Sequence, residues 1–171
     1  MPSRSQYTIT TSLAEGRGIR VHRAVRNVDR LPVILKVLDP ARGRAEDVEC
    51  LKHEYEIGKI LDSRGAVKPL ALESHRGMPT LVLEDTGGES LDHLLGAPMG
   101  VERFLRLAIG ITAAVTDVHR QEIIHKDLKP QNILVNPGND EVKITDFGVA
   151  SRLPREHRPA RPPRLIKGSL P

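Results

Sequence analysis

A chain of 171 residues with 39% hydrophobic content can bury a core of its own, but two Tyr, two Phe and no Trp leave that core to Leu, Ile, Val and Ala. The net charge of +4 does not mark a nucleic-acid-binding face: residues 152–171 carry +5 (five Arg and one Lys against one Glu), and everything before them sums to −1. No apolar run approaches the ~20 residues of a bilayer-spanning helix, no signal-peptide stretch opens the chain, and the single Cys50 cannot form an internal disulfide, so the expected setting is the cytoplasm, with no membrane partner.

Tyr7 to Leu13 is β-prone, and Ile19, Val21 and Val25 then alternate with Arg20, His22 and Arg26, with Arg23 breaking the apolar face. Between them Gly16-Arg17-Gly18, taken alone, reads as an ordinary turn. Val33-Ile34-Leu35-Lys36-Val37-Leu38 predicts a short apolar strand with one charge in it. A Lys inside such a strand is costly unless it is paired; the blander reading is an edge strand whose Lys reaches water. Val48, Leu51, Tyr55 and Leu61, behind acidic Glu46-Asp47, predict a helix from about Asp47 to Leu61. Gly58 falls inside it, where Gly costs ~1 kcal/mol against Ala.

Leu81 to Asp85 predicts a further strand, Gly87-Gly88 a turn, and Ser90 to Leu95 the start of a short helix. From Val101 to His119, Phe104, Ala108, Ile111, Val115 and Val118 recur at helical spacing, which predicts a core-facing helix. His119 and His125 have no Cys or acidic partner at zinc spacing and read as structural histidines. No internal repeat is visible.

The chain is organised around His125-Lys126-Asp127-Leu128-Lys129-Pro130-Gln131-Asn132, followed by Asp146-Phe147-Gly148. Between them Ile133 to Val135 and Val142 to Thr145 predict a hairpin turning at Asn136-Pro137-Gly138-Asn139-Asp140. The hairpin returns Asp146 to the side of Asp127 and Asn132. Two carboxylates, an amide and an ammonium then converge, which suits magnesium and a polyphosphate beside a hydroxyl that must lose a proton.

The pattern H-K-D-L-K-P-Q-N plus D-F-G resembles the catalytic loop and metal-binding motif of eukaryotic-type serine/threonine protein kinases. Within that family it is most similar to the kinase domains that open large bacterial multi-domain signalling proteins. The resemblance implies an α+β, protein-kinase-like fold: an antiparallel-sheet N-lobe with one main helix over about residues 7–85, then the first, mostly helical part of the C-lobe over 86–151. Residues 152–171 match a basic, Pro-rich activation segment. The final Gly168-Ser169-Leu170-Pro171 resembles the start of the substrate-docking turn, so the domain is expected to be incomplete, with little activity alone.

The family's roles carry over residue by residue. Asp127 matches the base that takes the hydroxyl proton, and Lys129 the cation that offsets charge on the moving γ-phosphoryl. Asn132 and Asp146 match the magnesium ligands. Lys36 matches the lysine of V-A-I-K, which touches the ATP phosphates and pairs with a helix glutamate. Counting back from Val67 picks Glu54 as that partner, with Glu56 as the fallback. The glycine loop runs from Leu13 to Val21, with Gly16 on the middle glycine but Ala14 and Ile19 on the other two; Val21 covers the nucleotide. Leu83 guards the back of the adenine pocket, and the Glu84–Thr86 backbone meets the base.

Gly58 stands where the family places a large apolar residue over the Phe of D-F-G, which implies a void above Phe147 and a loosely held helix. Between Arg152 and Gly168 there is no Ser, Thr or Tyr, and Lys126 replaces an Arg that often pairs with a phosphorylated loop, so phosphorylation in that segment is not an expected switch. The function implied is transfer from Mg-ATP to an unidentified protein substrate, within a larger signalling protein. The alternative is a nucleotide-binding pseudokinase or scaffold, suggested by the thin glycine loop and Gly58. A small-molecule phosphotransferase ranks third. Nucleic-acid binding by residues 152–167 ranks last.

Overall fold

The computed structural model describes residues 6–16, 18–75, 77–96 and 98–153. The expectations for residues 154–171, the Pro-rich segment and the docking turn, lie outside the described residues. The chain divides into two compact units, Met1–Ile60 with Val67–Gly87 and Leu61–Ala66 with Gly88–Pro171.

The first unit is an antiparallel sheet of β1 (Tyr7–Glu15), β2 (Ile19–Arg26), β3 (Pro32–Leu38), β4 (Pro69–His75) and β5 (Met78–Glu84), ordered β1-β2-β3-β5-β4, with helix α1 (Ala45–Ile60). Directly paired residues of an antiparallel sheet share a face, and successive residues alternate. The pairs Ala24–Val33 and Leu35–Val82 therefore line one face, where they pack with Tyr7 into a buried cluster. Tyr7 meets His75 edge-on at 5.7 Å, and burial with a bond to Glu73 pushes its phenol up to about 12. The other face carries the rows Val21–Lys36–Leu81 and Arg23–Ile34–Leu83. This is the face α1 covers, because Glu54 reaches Lys36 from it.

Helix α1 begins two residues before the predicted start. The Arg44 N–H donates to Asp47 Oδ2 at 2.8 Å, a carboxylate three residues on satisfying a backbone donor ahead of the first turn. Its buried residues are Leu51, Glu54 and Ile57, whereas Tyr55 is half-buried under the Lys59 ammonium, 5.1 Å from the ring centre. Gly58 requires a correction. A Cβ there would lie 2.6 Å from Cδ and Cγ of Pro69, at the start of β4. The space beside Gly58 is filled, and glycine is what lets the helix approach the sheet edge this closely. Phe147, in the other unit, is buried and meets His125 edge-on at 4.8 Å.

The second unit holds β6 (Glu89–Ser90), α2 (Val101–Arg120), β7 (Ile123–Ile124), β8 (Ile133–Val135), β9 (Val142–Ile144) and β10 (Ser151–Arg152). The predicted hairpin is β8–β9, with β6 alongside, and β7 pairs with β10. The short helix expected from Ser90 is a 3-10 turn, Leu91–Leu94. The β8–β9 turn closes through Asn136 N to Glu141 O at 2.9 Å and is held to α2 by Arg103 and Arg106 on Asp140, at 3.1 and 3.4 Å.

The face of α2 is corrected at its N-terminal half. Its buried residues are Leu107, Ala114 and Val118, while Phe104 is 58% exposed. Leu107 joins Leu91, Ile133, Val135 and Val142 in the unit's core, so the hairpin takes the helix one residue round from the predicted stripe. Both stripes share Ile111 and Val118, so the periodicity alone does not separate them. No helix among the described residues is long and apolar enough to cross a membrane.

Candidate active site

In the first unit, Lys36 Nζ lies 2.7 Å from both Oε1 and Oε2 of Glu54, with the two residues 8% and 5% exposed. Neither charge reaches open water, so each depends on the other. Glu56 points elsewhere: it is exposed and 3.8 Å from Lys59. Of the two candidate glutamates, Glu54 is the one paired with Lys36. Val21 stands directly across from Lys36 on β2.

The glycine loop is a tight β1–β2 hairpin in which Gly16 N donates to Ile19 O at 2.9 Å. Gly18, which the motif leaves without a role, is the constrained glycine. A Cβ on it would lie 2.0 Å from Asp47 Oδ2, and its carbonyl accepts from Asp39 N at 2.8 Å. Asp39 in turn holds Arg20 Nε at 3.0 Å. The Ala41 N–H and the Arg20 guanidinium keep the Asp39 carboxyl below its usual range.

After β5, Glu84 N donates to Lys68 O at 3.0 Å and Glu84 Oε1 accepts from Lys68 N at 3.1 Å. Asp85 binds Arg23, and its Oδ1 accepts from Gly87 N at 2.9 Å, which draws Glu84–Thr86 into a turn completed by Gly87 at φ +65°.

In the second unit the 3-10 turn Pro130–Asn132 folds Asn132 back under the loop. Asn132 Nδ2 donates to Asp127 O at 2.8 Å and to Asp127 Oδ2 at 3.2 Å. Lys129 Nζ lies 2.7 Å from the same Oδ2. His125 is the structural histidine expected: its Nε2 donates to Thr145 O at 2.8 Å, so its Nδ1 is the acceptor that the Asp127 N–H faces at 3.3 Å. Thr145 N donates to Asn132 O at 3.0 Å, which brings the next residue, Asp146, to the loop.

Two non-glycine residues here have left-handed backbone, Lys126 at φ +68° and Asp146 at φ +70°. Such residues cost about 1–3 kcal/mol and persist where the surroundings over-determine them. His125 and Asn132 supply those surroundings. The outlier at Lys126 was not legible in the sequence, because Lys is not a habitual occupant of that region, whereas Asp is.

The donor set fits a hard divalent cation. With Asn132 Nδ2 engaged on Asp127, its amide oxygen is the acceptor left to face a ligand, and Asp146, the residue after Thr145, brings a carboxylate to the same loop. No group of three His, Cys, Asp or Glu among the described residues would hold a metal unaided. Two protein oxygens completed by phosphate oxygens and water is the way magnesium is ordinarily bound.

The sequence model of the protein kinase domain matches residues 7–165. The chain is 32% identical over 156 residues to testis-specific serine/threonine-protein kinase 3 of Homo sapiens, covering 89% of this chain and 58% of that protein. It is 30% identical over 151 residues to probable serine/threonine-protein kinase pknA2 of Bifidobacterium longum, covering 85% of this chain and 20% of that one. It is 29% identical over 153 residues to serine/threonine-protein kinase pkn3 of Myxococcus xanthus, with 85% and 28% covered. The chain thus spans little more than half of the first relative's length and under a third of the two bacterial ones.

Proposed function

The chain belongs to the protein kinase domain family, and from that premise we propose that it serves ATP-dependent phosphorylation of serine or threonine hydroxyls on a protein substrate, in the cytoplasm and as part of a larger signalling protein. The observation that carries the reading is the Asp127 carboxylate, bonded to Lys129 and Asn132 and set beside Asp146 through the Thr145–Asn132 link.

Phosphoryl transfer asks the protein mainly for positioning and charge neutralisation. Asp127 takes the hydroxyl proton, its carboxylate oriented by Lys129 and Asn132 on Oδ2. Lys129, part-exposed, turns its remaining N–H groups to the transferring phosphoryl. Asn132 and Asp146 would hold magnesium, which would supply charge neutralisation at the phosphates of the nucleotide. Lys36, oriented by both oxygens of Glu54, presents its charge to the α- and β-phosphates. Gly16 and Val21 cover the nucleotide, and the Glu84 and Thr86 backbone meets the adenine.

The pseudokinase reading predicts nucleotide binding without transfer, so one comparison separates the two. In an active preparation of the kinase domain, Asp127→Asn should lower transfer about 10²–10⁴-fold and leave Mg-ATP affinity nearly unchanged, while Asp146→Asn should lose the magnesium-dependent part of binding. Magnesium-dependent binding that persists in Asp146→Asn would sink the metal assignment. Nucleotide binding by the wild type with no transfer to any hydroxyl would favour the scaffold.

A further inference from the structure

One ion pair of the first unit has no task in that mechanism. Arg23 on β2 and Asp85 just past β5 meet as an ion pair: Nη2 donates to Oδ1 at 3.3 Å, and Nε lies 2.7 Å from Oδ2 without the alignment of a hydrogen bond. Arg23 lies on the sheet face that carries Lys36, in one cross-strand row with Ile34 and Leu83. An apolar residue would fill that row more cheaply if stability were all that was required, since a part-exposed ion pair contributes only about 0–1 kcal/mol. The partner is sunk deeper: the Asp85 side chain is 8% exposed against 33% for Arg23. The same carboxylate also accepts from Gly87 N, so one side chain ties β2 to the backbone stretch Glu84–Thr86.

We propose that Arg23 and Asp85 form a clamp for the nucleotide base. Asp85 is the positioning residue, fixing the Glu84–Thr86 backbone against β2. Arg23 is the specificity-determining residue: its guanidinium, anchored by Asp85, offers its planar face for stacking on a purine ring. The pair acts on the base and not on the phosphates, which fall to Lys36. This deepens the kinase reading and rests on it, so the test must let the two fail separately.

The experiment is calorimetric titration of the full chain with three probes in magnesium buffer: ATP, adenosine and inorganic triphosphate. Arg23→Gln and Asp85→Asn should each weaken ATP and adenosine about tenfold, which is about 1.4 kcal/mol. Triphosphate should stay within about twofold, because no phosphate contact is removed. The Arg23→Gln/Asp85→Asn double variant should be no weaker than the worse single one, since each change breaks the same ion pair. Arg23→Lys, which keeps the charge and loses the planar guanidinium, guards against a variant that does not fold and should fall between wild type and Arg23→Gln. Equal losses for ATP and triphosphate, unchanged adenosine affinity, or additive single effects would overturn the clamp while leaving the kinase reading standing. A wild type that binds none of the three probes would overturn both.

Discussion

The two units hold their functional side chains by opposite means. In the first, Lys36 and Glu54 sit on a regular strand and a regular helix, and what fixes them is burial and their mutual ion pair. In the second, Asp127, Asn132 and Asp146 sit on loops and a single 3-10 turn, fixed by hydrogen bonds to backbone and by two left-handed residues. A strand-and-helix site is rigid because its elements are packed. A loop site is rigid only as long as its polar network is complete.

The largest test of this contrast is removal of one buried charge. Lys36→Met takes the ammonium away from the buried Glu54 carboxylate, and should lower stability by about 3–5 kcal/mol in urea unfolding. The Lys36→Met/Glu54→Leu double variant should recover most of the loss. A double variant as unstable as the single would show that the pair is held by something other than mutual neutralisation.

Next is the packing that holds the glutamate's helix. Gly58→Leu should destabilise by about 1–3 kcal/mol, because the added carbons meet the Pro69 ring. A gain in melting temperature would mean the ring can yield.

A smaller effect probes the loop site. Lys126→Gly relieves the left-handed backbone, worth about 1–2 kcal/mol, against about 0.4–1 kcal/mol of added unfolded-state freedom. A net gain of roughly 0.5 kcal/mol is expected in the same unfolding assay. A clear loss would show that the Lys126 side chain contributes to the site.

The smallest concerns acid. Asp39 is held below its ordinary value of 3.8, so its folded-state advantage is fully present above that pH and is lost as the pH falls through the lowered value. Thermal melts of wild type should therefore drop more steeply below about pH 4 than those of Asp39→Asn. Parallel curves would remove Asp39 from the account of how Gly18 and Arg20 are held.

How much was legible follows the same division. Lys36 stood out through the cost of a charge in an apolar strand, but its role, and the choice of Glu54 by counting back from Val67, came from the family resemblance. Asp127, Asn132 and Asp146 were legible only as a motif, since no period governs a loop. Phe104 was placed on the wrong face because two helical stripes share half their members. Arg23 looked like a flaw in a strand because its partner, Asp85, lies 62 residues away. Gly58 looked like a hole because the ring that fills it comes from the next strand.

That ring has a consequence for how relatives of this chain can vary. Pro69 has no rotamers with which to retreat, so the spacing between α1 and the start of β4 is set by two positions jointly. Neither can drift alone. Across homologues, bulk at position 58 and proline at position 69 should be mutually exclusive: lineages with a branched or long residue at the first should carry a smaller or more yielding one at the second. The pair is a correlated substitution waiting to be counted, and a sequence carrying both would have had to move the helix.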